Sequence, residues 1–332
     1  MQNIQTVQLR PQWQQELAQA VSDPYQLAEL LSLPKAWADE HASARQLFPL
    51  RVPRFFVGLM QQGNKRDPLL MQVMPNAAEY LEHPEFVTDP LQEQQGEHNG
   101  VLHKYRSRVL VILRGGCAVN CRYCFRRHFP YQDHHFGRQQ LEQLVTIIGA
   151  DSAINEVILS GGDPLMATDS QISRIIDRLE AIPQLKRIRI HTRLPVVLPS
   201  RLTEELAQRL AQSRLKAILV LHTNHANEVS VSLKKALATY QNLGITLLNQ
   251  SVLLKGINDT AAQLVDLSEA LFDAGVMPYY LHQLDKVAGA SHFDVSDERA
   301  RELHLQIRAR LPGFLVPQLV REIAGEPNKT PL

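Results

Sequence analysis

From Ser107 onward, short runs of apolar and β-branched residues alternate with longer stretches whose apolar positions recur every three or four residues. The short runs are SRVLVILR (107–114), NEVILSGG (155–162), LKRIRIHT (185–192), LKAILVLHT (215–223), GITLLNQSVLL (244–254) and GVMPYYLHQL (275–284). Between them, DSQISRIIDRLEAI (169–182), TEELAQRLAQ (203–212), SLKKALATYQNLG (232–244) and TAAQLVDLSEALFDAG (260–275) carry the helical period. Thr203 ahead of Glu205, and Gly275 at the end of the last stretch, are helix boundary signals. Nearly continuous apolar strands separated by amphipathic helices require a parallel sheet covered by those helices. Six such units predict an α/β fold, a partial (β/α)6 TIM-like barrel, with a doubly wound open sheet as the alternative. In both, chemistry gathers where strands end. Those ends carry SGGD, HTR, HTNH, NQS and HQLDK, an unusually polar set.

Residues 1–95 have a different texture. Trp13, Leu17 and Val21 fall at helical spacing, Leu27, Leu30 and Leu31 follow the Asp23–Pro24 break, and prolines punctuate the approach to residue 100. This predicts an N-terminal helical cap over 1–95 leading into a core domain over 96–332, without internal repeats.

A chain of 332 residues can bury a full core without disulfides or a structural metal. Its balance of 35 basic against 34 acidic residues gives no reason to expect a nucleic-acid or membrane partner. No apolar signal core and no bilayer-length apolar stretch are present, so a cytoplasmic protein is expected. The three cysteines cannot all pair, which fits a reducing compartment.

All three cysteines lie in CAVNCRYCF (117–125), spaced C-x3-C-x2-C. Soft thiolates on one short loop favour an iron–sulfur cluster, zinc or Cu(I). Zinc would need a fourth ligand such as His128 or His103, and incidental thiols are the bland alternative. A four-iron cluster on three cysteines keeps one iron open to a non-protein ligand, which suits a catalyst.

C-x3-C-x2-C at the exit of a first barrel strand, with an aromatic residue before the last cysteine, resembles the radical S-adenosylmethionine enzymes. The resemblance implies that Cys117, Cys121 and Cys124 hold a [4Fe-4S] cluster. Its open iron would bind S-adenosylmethionine, from which one electron releases a 5′-deoxyadenosyl radical. It also implies that SGGDPL, with Gly161, Gly162 and Asp163, holds the methionine part, with His222 and Gln250 as further contacts. By spacing alone, a GGD is only a strand-to-helix turn.

The flanking segments CRYCFRRHF, IHTRLPVVLPSRLT, HTNHANE, LLNQSVLLKGIND, MPYYLHQLDKVAGASHF and NKTPL resemble the lysine 2,3-aminomutase family, in its order. The similarity spans about residue 45 to the C-terminus and is greatest to the short bacterial branch that supplies (R)-β-lysine for elongation factor P. That resemblance implies an isomerase acting on (S)-α-lysine with pyridoxal 5′-phosphate as second cofactor. Lys329 would anchor the pyridoxal and Arg108 would lie near its phosphate. Arg126 would take the substrate carboxylate, and Asp285 and Glu322 its remote ammonium. Glu322 replaces the family's usual Asp, and GEPN replaces a run of glycines before the lysine. The resemblance further implies a flavodoxin- or ferredoxin-like electron donor and a functional link to elongation factor P and its lysyl ligase. It also implies that the zinc site of the longer relatives is missing. The competing readings are a radical aminomutase for another basic amino acid, and a non-catalytic metal or electron-transfer protein.

Overall fold

The computed structural model of the chain describes residues 10–94, 100–131 and 136–332. The expected boundary at 95/96 lies outside the described residues. Nine strands form one sheet: β1 (Val101–Tyr105), β2 (Arg108–Arg114), β3 (Glu156–Gly161), β4 (Arg187–Thr192), β5 (Lys216–His222), β6 (Thr246–Val252), β7 (Met277–His282), β8 (Gln318–Arg321) and β9 (Thr330–Pro331). Their order in the sheet is their order in the chain. β2 through β8 run parallel, and β1 and β9 add antiparallel edges. A doubly wound sheet reverses its strand order at a switch point. This sheet never reverses, so each crossover steps to the next strand, as in a partial barrel.

The six sequence-read strands are β2 to β7. β8 is a further parallel strand, only four residues long, and β9 has two. Neither is long enough to show a period. The helices Arg138–Ala150 and Asp297–Arg308 complete the outer layer.

Local chemistry explains the boundaries. Thr168 caps Asp169–Glu180 by accepting from the Gln171 amide, and Thr203 caps Glu204–Ala211 through Leu206. Ile172, Ile175, Ile176 and Leu179 form the buried face of the first of these helices. Gly275 follows the helix Ala261–Asp273 with φ 74°, the left-handed turn that favours glycine.

The barrel wall is apolar outside and polar inside. In β4, Ile188, Ile190 and Thr192 are buried while Arg187, Arg189 and His191 are half-buried. Ile188 and Ile190 join the helices' core, and Arg189 and His191 line a cavity.

The N-terminal segment packs against this wall. Trp13, Leu27 and Phe56 share one continuous core with Leu159, Leu194 and Leu206. Two details differ from the sequence pattern. The first helix stops at Ala18, so Val21 instead pairs with Val52 as an isolated bridge. Leu30 is exposed while Leu27 and Leu31 are buried. Among the described residues, no helix is long and apolar enough to cross a membrane.

Candidate active site

A cavity of about 680 Å³ runs from the C-terminal ends of the strands into the barrel interior. Every residue to which the family resemblance gave a cofactor or substrate role lines it, while His103 and His128 do not.

The cysteines sit on the loop that leaves β2. This loop is fixed by two arginines, Arg122 within the motif and Arg127 just beyond it. Arg122 and Arg127 both bind the Glu79 carboxylate, and all three side chains are fully buried. Glu79 also caps its own turn by accepting from the Asn76 amide. Tyr123 points into a buried network, where Arg193 and Asn224 both donate to its hydroxyl and Arg193 also reaches Gln72 and Glu228.

Cys117, Cys121 and Cys124 line the cavity as free thiols. Burial, reinforced by the neighbouring Cys121, pushes the Cys124 thiol up to about 11. Burial likewise raises Cys117 and Cys121. Three sulfurs that resist ionisation this way call for a strongly cationic partner. Among the described residues, no three His, Cys, Asp or Glu side chains converge closely enough to share one metal ion. His128 bonds the Ala288 carbonyl at 3.1 Å, and His103 is exposed on β1; neither completes a zinc site.

The glycines after β3 serve close approach. A Cβ on Gly162 would lie 2.7 Å from the Gly116 carbonyl and 3.1 Å from Cys117 Sγ. Gly161 has φ 127°, and its carbonyl accepts from Arg126 and Tyr131. Asp163 accepts from Thr192 Oγ1 and from the amides of Leu165, Arg193 and Leu194. Four donors fill the carboxylate's capacity. It therefore ties the exits of β3 and β4 together rather than offering a lone pair to a ligand.

Deeper in, burial pushes His222 down to about 3, so it stays neutral and accepts from Gln250 Nε2 at 2.7 Å. His191 and His282 are likewise held well below the usual imidazole range, chiefly by burial. Each has an Nε2 without a hydrogen-bond partner among the described residues. Orphaned buried nitrogens beside a cavity are donors or acceptors for whatever fills it.

Lys329, on the segment that enters β9, donates to Glu322 Oε2, while Tyr105 donates to Oε1 at 2.5 Å. Both oxygens of Glu322 are thus engaged. Although burial opposes it, Lys329 and Tyr105 hold this carboxyl below the usual range. Arg108 stacks over Tyr105 at 4.0 Å and, among the described residues, makes no ion pair. Asp285 is pushed up to about 7, by burial and then by Glu322 and Glu93, with Lys329 opposing. Arg126 is paired with Glu93, which also binds Lys104 at 2.6 Å.

Sequence reasoning missed Glu93, Lys104, Tyr105, His191 and His282. The last two stand at polar strand ends, a signal that was legible. Glu93 belongs to an irregular segment and carries no signal.

Residues 111–267 match the model of the radical SAM superfamily. The chain is 51% identical over 327 residues to "L-lysine 2,3-aminomutase" of Escherichia coli (strain K12), covering 97% of this chain and 95% of that protein. It is 49% identical to the Haemophilus influenzae protein of the same name, over 96% of this chain and 94% of the relative. Against that of Buchnera aphidicola subsp. Baizongia pistaciae the identity is 45%, with the same two coverages.

Proposed function

The chain belongs to the L-lysine 2,3-aminomutase family of the radical SAM superfamily, and on that premise we propose that it is an isomerase. It moves the α-amino group of (S)-lysine to the β-carbon, and the (R)-β-lysine product serves the modification of elongation factor P. The observation that carries this reading is the convergence of two chemistries in one cavity, which is lined by three thiols, by the Lys329–Glu322 pair and by Arg108, without an ion pair among the described residues.

When bound, a [4Fe-4S] cluster with S-adenosylmethionine supplies a hydrogen-abstracting radical, and pyridoxal 5′-phosphate supplies the conjugation that lets nitrogen migrate. Cys117, Cys121 and Cys124 hold the cluster, and the glycines after β3 bring that strand against the cysteine loop. His222, kept neutral, and Gln250 contact the adenosyl group as a fixed acceptor–donor pair. Lys329 anchors the pyridoxal, and Arg108, without a carboxylate partner among the described residues, suits a phosphate. Covalent attachment needs the Nζ lone pair, so the proton shared along Lys329–Glu322 must pass toward Glu322 Oε2.

Arg126 holds the substrate carboxylate. Asp285 holds the remote ammonium together with Glu322, whose carboxylate accepts from Tyr105 and Lys329 and so uses two of its four lone-pair sites. A buried, unpaired ammonium is costly, so these acids select a basic side chain. Residues 1–95 act as a cap that clamps the cluster loop through Glu79. A flavodoxin- or ferredoxin-like protein supplies the electron, and a lysyl ligase consumes the product.

The test is anaerobic. Protein reconstituted with iron and sulfide is supplied with pyridoxal phosphate, S-adenosylmethionine, a reductant and lysine, with arginine or ornithine as competitors. β-Lysine is the expected product. An intact cluster with no β-lysine would refute the assignment, and preferential turnover of a competitor would reassign the substrate.

A further inference from the structure

Arg126 has five N–H donors, and the structure engages four of them. Nε and Nη2 fork onto Glu93 at 2.6 and 3.1 Å, and Nη1 reaches both Ser160 Oγ and the Gly161 carbonyl at 3.2 Å. Lys104 binds the same Glu93 carboxylate at 2.6 Å. Glu93 and Arg126 are almost fully buried, with 4% and 7% exposure. Although burial opposes it, Arg126 and Lys104 hold the Glu93 carboxyl down to about 2, so it stays ionised.

The backbone is shaped to bring this carboxylate inward. The amides of Glu93 and Gln94 donate to the two oxygens of Asp89 at 3.0 and 3.1 Å. Gln92 adopts φ 52°, a conformation that costs a non-glycine residue energy. Upstream, Val87 is bonded on both sides to the segment that follows Asp285, through Lys286 and Ala288.

Two cations and one carboxylate leave a single surplus positive charge. We infer that Glu93 is a specificity-determining residue that sets the carboxylate end of the cavity to one net positive charge, matched to one substrate carboxylate. It also fixes the guanidinium so that only one Nη2–H, with the remaining Lys104 protons, is left for the incoming group. Without Glu93 the same end would carry two positive charges and favour dianions. The inference rests on the reading of Arg126 as the carboxylate ligand.

The test needs no turnover, so it fails or succeeds independently of β-lysine formation. Acetate and malonate, which occupy only the carboxylate end, are titrated calorimetrically into iron-reconstituted wild type, Glu93→Gln, Glu93→Asp and Lys104→Gln. The expected net charges are one, two, one and zero. The malonate-to-acetate affinity ratio should rise about tenfold in Glu93→Gln, stay near wild type in Glu93→Asp, and fall in Lys104→Gln. A purely structural role would weaken both anions in every variant. Equal changes for the two anions, or Glu93→Gln and Lys104→Gln shifting the ratio in the same direction, overturns the inference. Should Glu93→Gln fail to fold, an unchanged ratio in the half-buried Lys104→Gln variant overturns it as well.

Discussion

Replacing Glu79 by Gln keeps the shape of a side chain on which the whole cysteine loop leans, while removing its charge. Arg122 Nε donates to Glu79 at 2.8 Å and Arg127 Nη2 at 2.6 Å, and none of the three side chains is exposed. Two guanidiniums would be left buried without a carboxylate, with the Gln amide oxygen and backbone carbonyls as acceptors, those of Ala44, Phe48 and Pro49 for Arg122 and of Arg122 and Gly289 for Arg127. Breaking a buried ion pair from one side costs about 3–5 kcal/mol, a large share of the roughly 5–15 kcal/mol of a typical protein. A Gln retains one acceptor oxygen, which places the expected loss near the lower figure, about 3 kcal/mol. Equilibrium urea unfolding measures it. Because Arg122 and Arg127 flank the cysteines, iron retained after reconstitution should fall in parallel and thiol modification should speed up. A loss under about 1 kcal/mol would refute the reasoning. So would a larger loss that leaves thiol reactivity unchanged, since the triad would then not hold the loop. Adding Arg127→Met should recover part of the loss, because one uncompensated charge is removed.

Other outcomes follow from the same geometry. Asp285, raised to about 7, binds an ammonium only when ionised, so lysine affinity should strengthen as pH rises through 7. In Asp285→Asn that rise should vanish and binding should weaken at least tenfold by calorimetry. Gly162→Ala places a methyl 2.7 Å from a backbone oxygen and 3.1 Å from Cys117 Sγ, so iron content should fall while far-ultraviolet circular dichroism stays native. His222 titrates near 3 when folded against about 6.5 when unfolded. Its contribution to stability is present above about 6.5 and is lost as pH falls toward 3, at up to about 1.4 kcal/mol per pH unit. His222→Gln should flatten that acid slope in urea unfolding at stepped pH. Lys329→Ala should abolish pyridoxal absorbance while iron binding is unchanged; loss of both would count against separate anchoring sites.

Much of the fold was legible because periodicity is local. The runs that became β2 to β7 bury aliphatic faces, and Thr203 and Gly275 mark helix ends by chemistry within a few residues. β1 and the helices Arg138–Ala150 and Asp297–Arg308 also went unread, while β8 and β9 are too short to show a period and pair along the edge a neighbouring strand offers. Val21 and Leu30 fit the helical spacing, yet one pairs with Val52 and the other faces solvent.

The sequence by itself determined the thiol cluster, the barrel frame and the identity of the charged residues at strand ends, because each is written in contiguous residues. Only the tertiary structure decided how those charges are partnered. It set Glu322 on Lys329 and Tyr105, Asp163 on four donors at the exits of β3 and β4, and Glu93 on Arg126 and Lys104. A buried charge takes whichever opposite group the fold brings within reach. For Glu93 that partner lies 33 residues away, beyond any pattern the chain can show along its length.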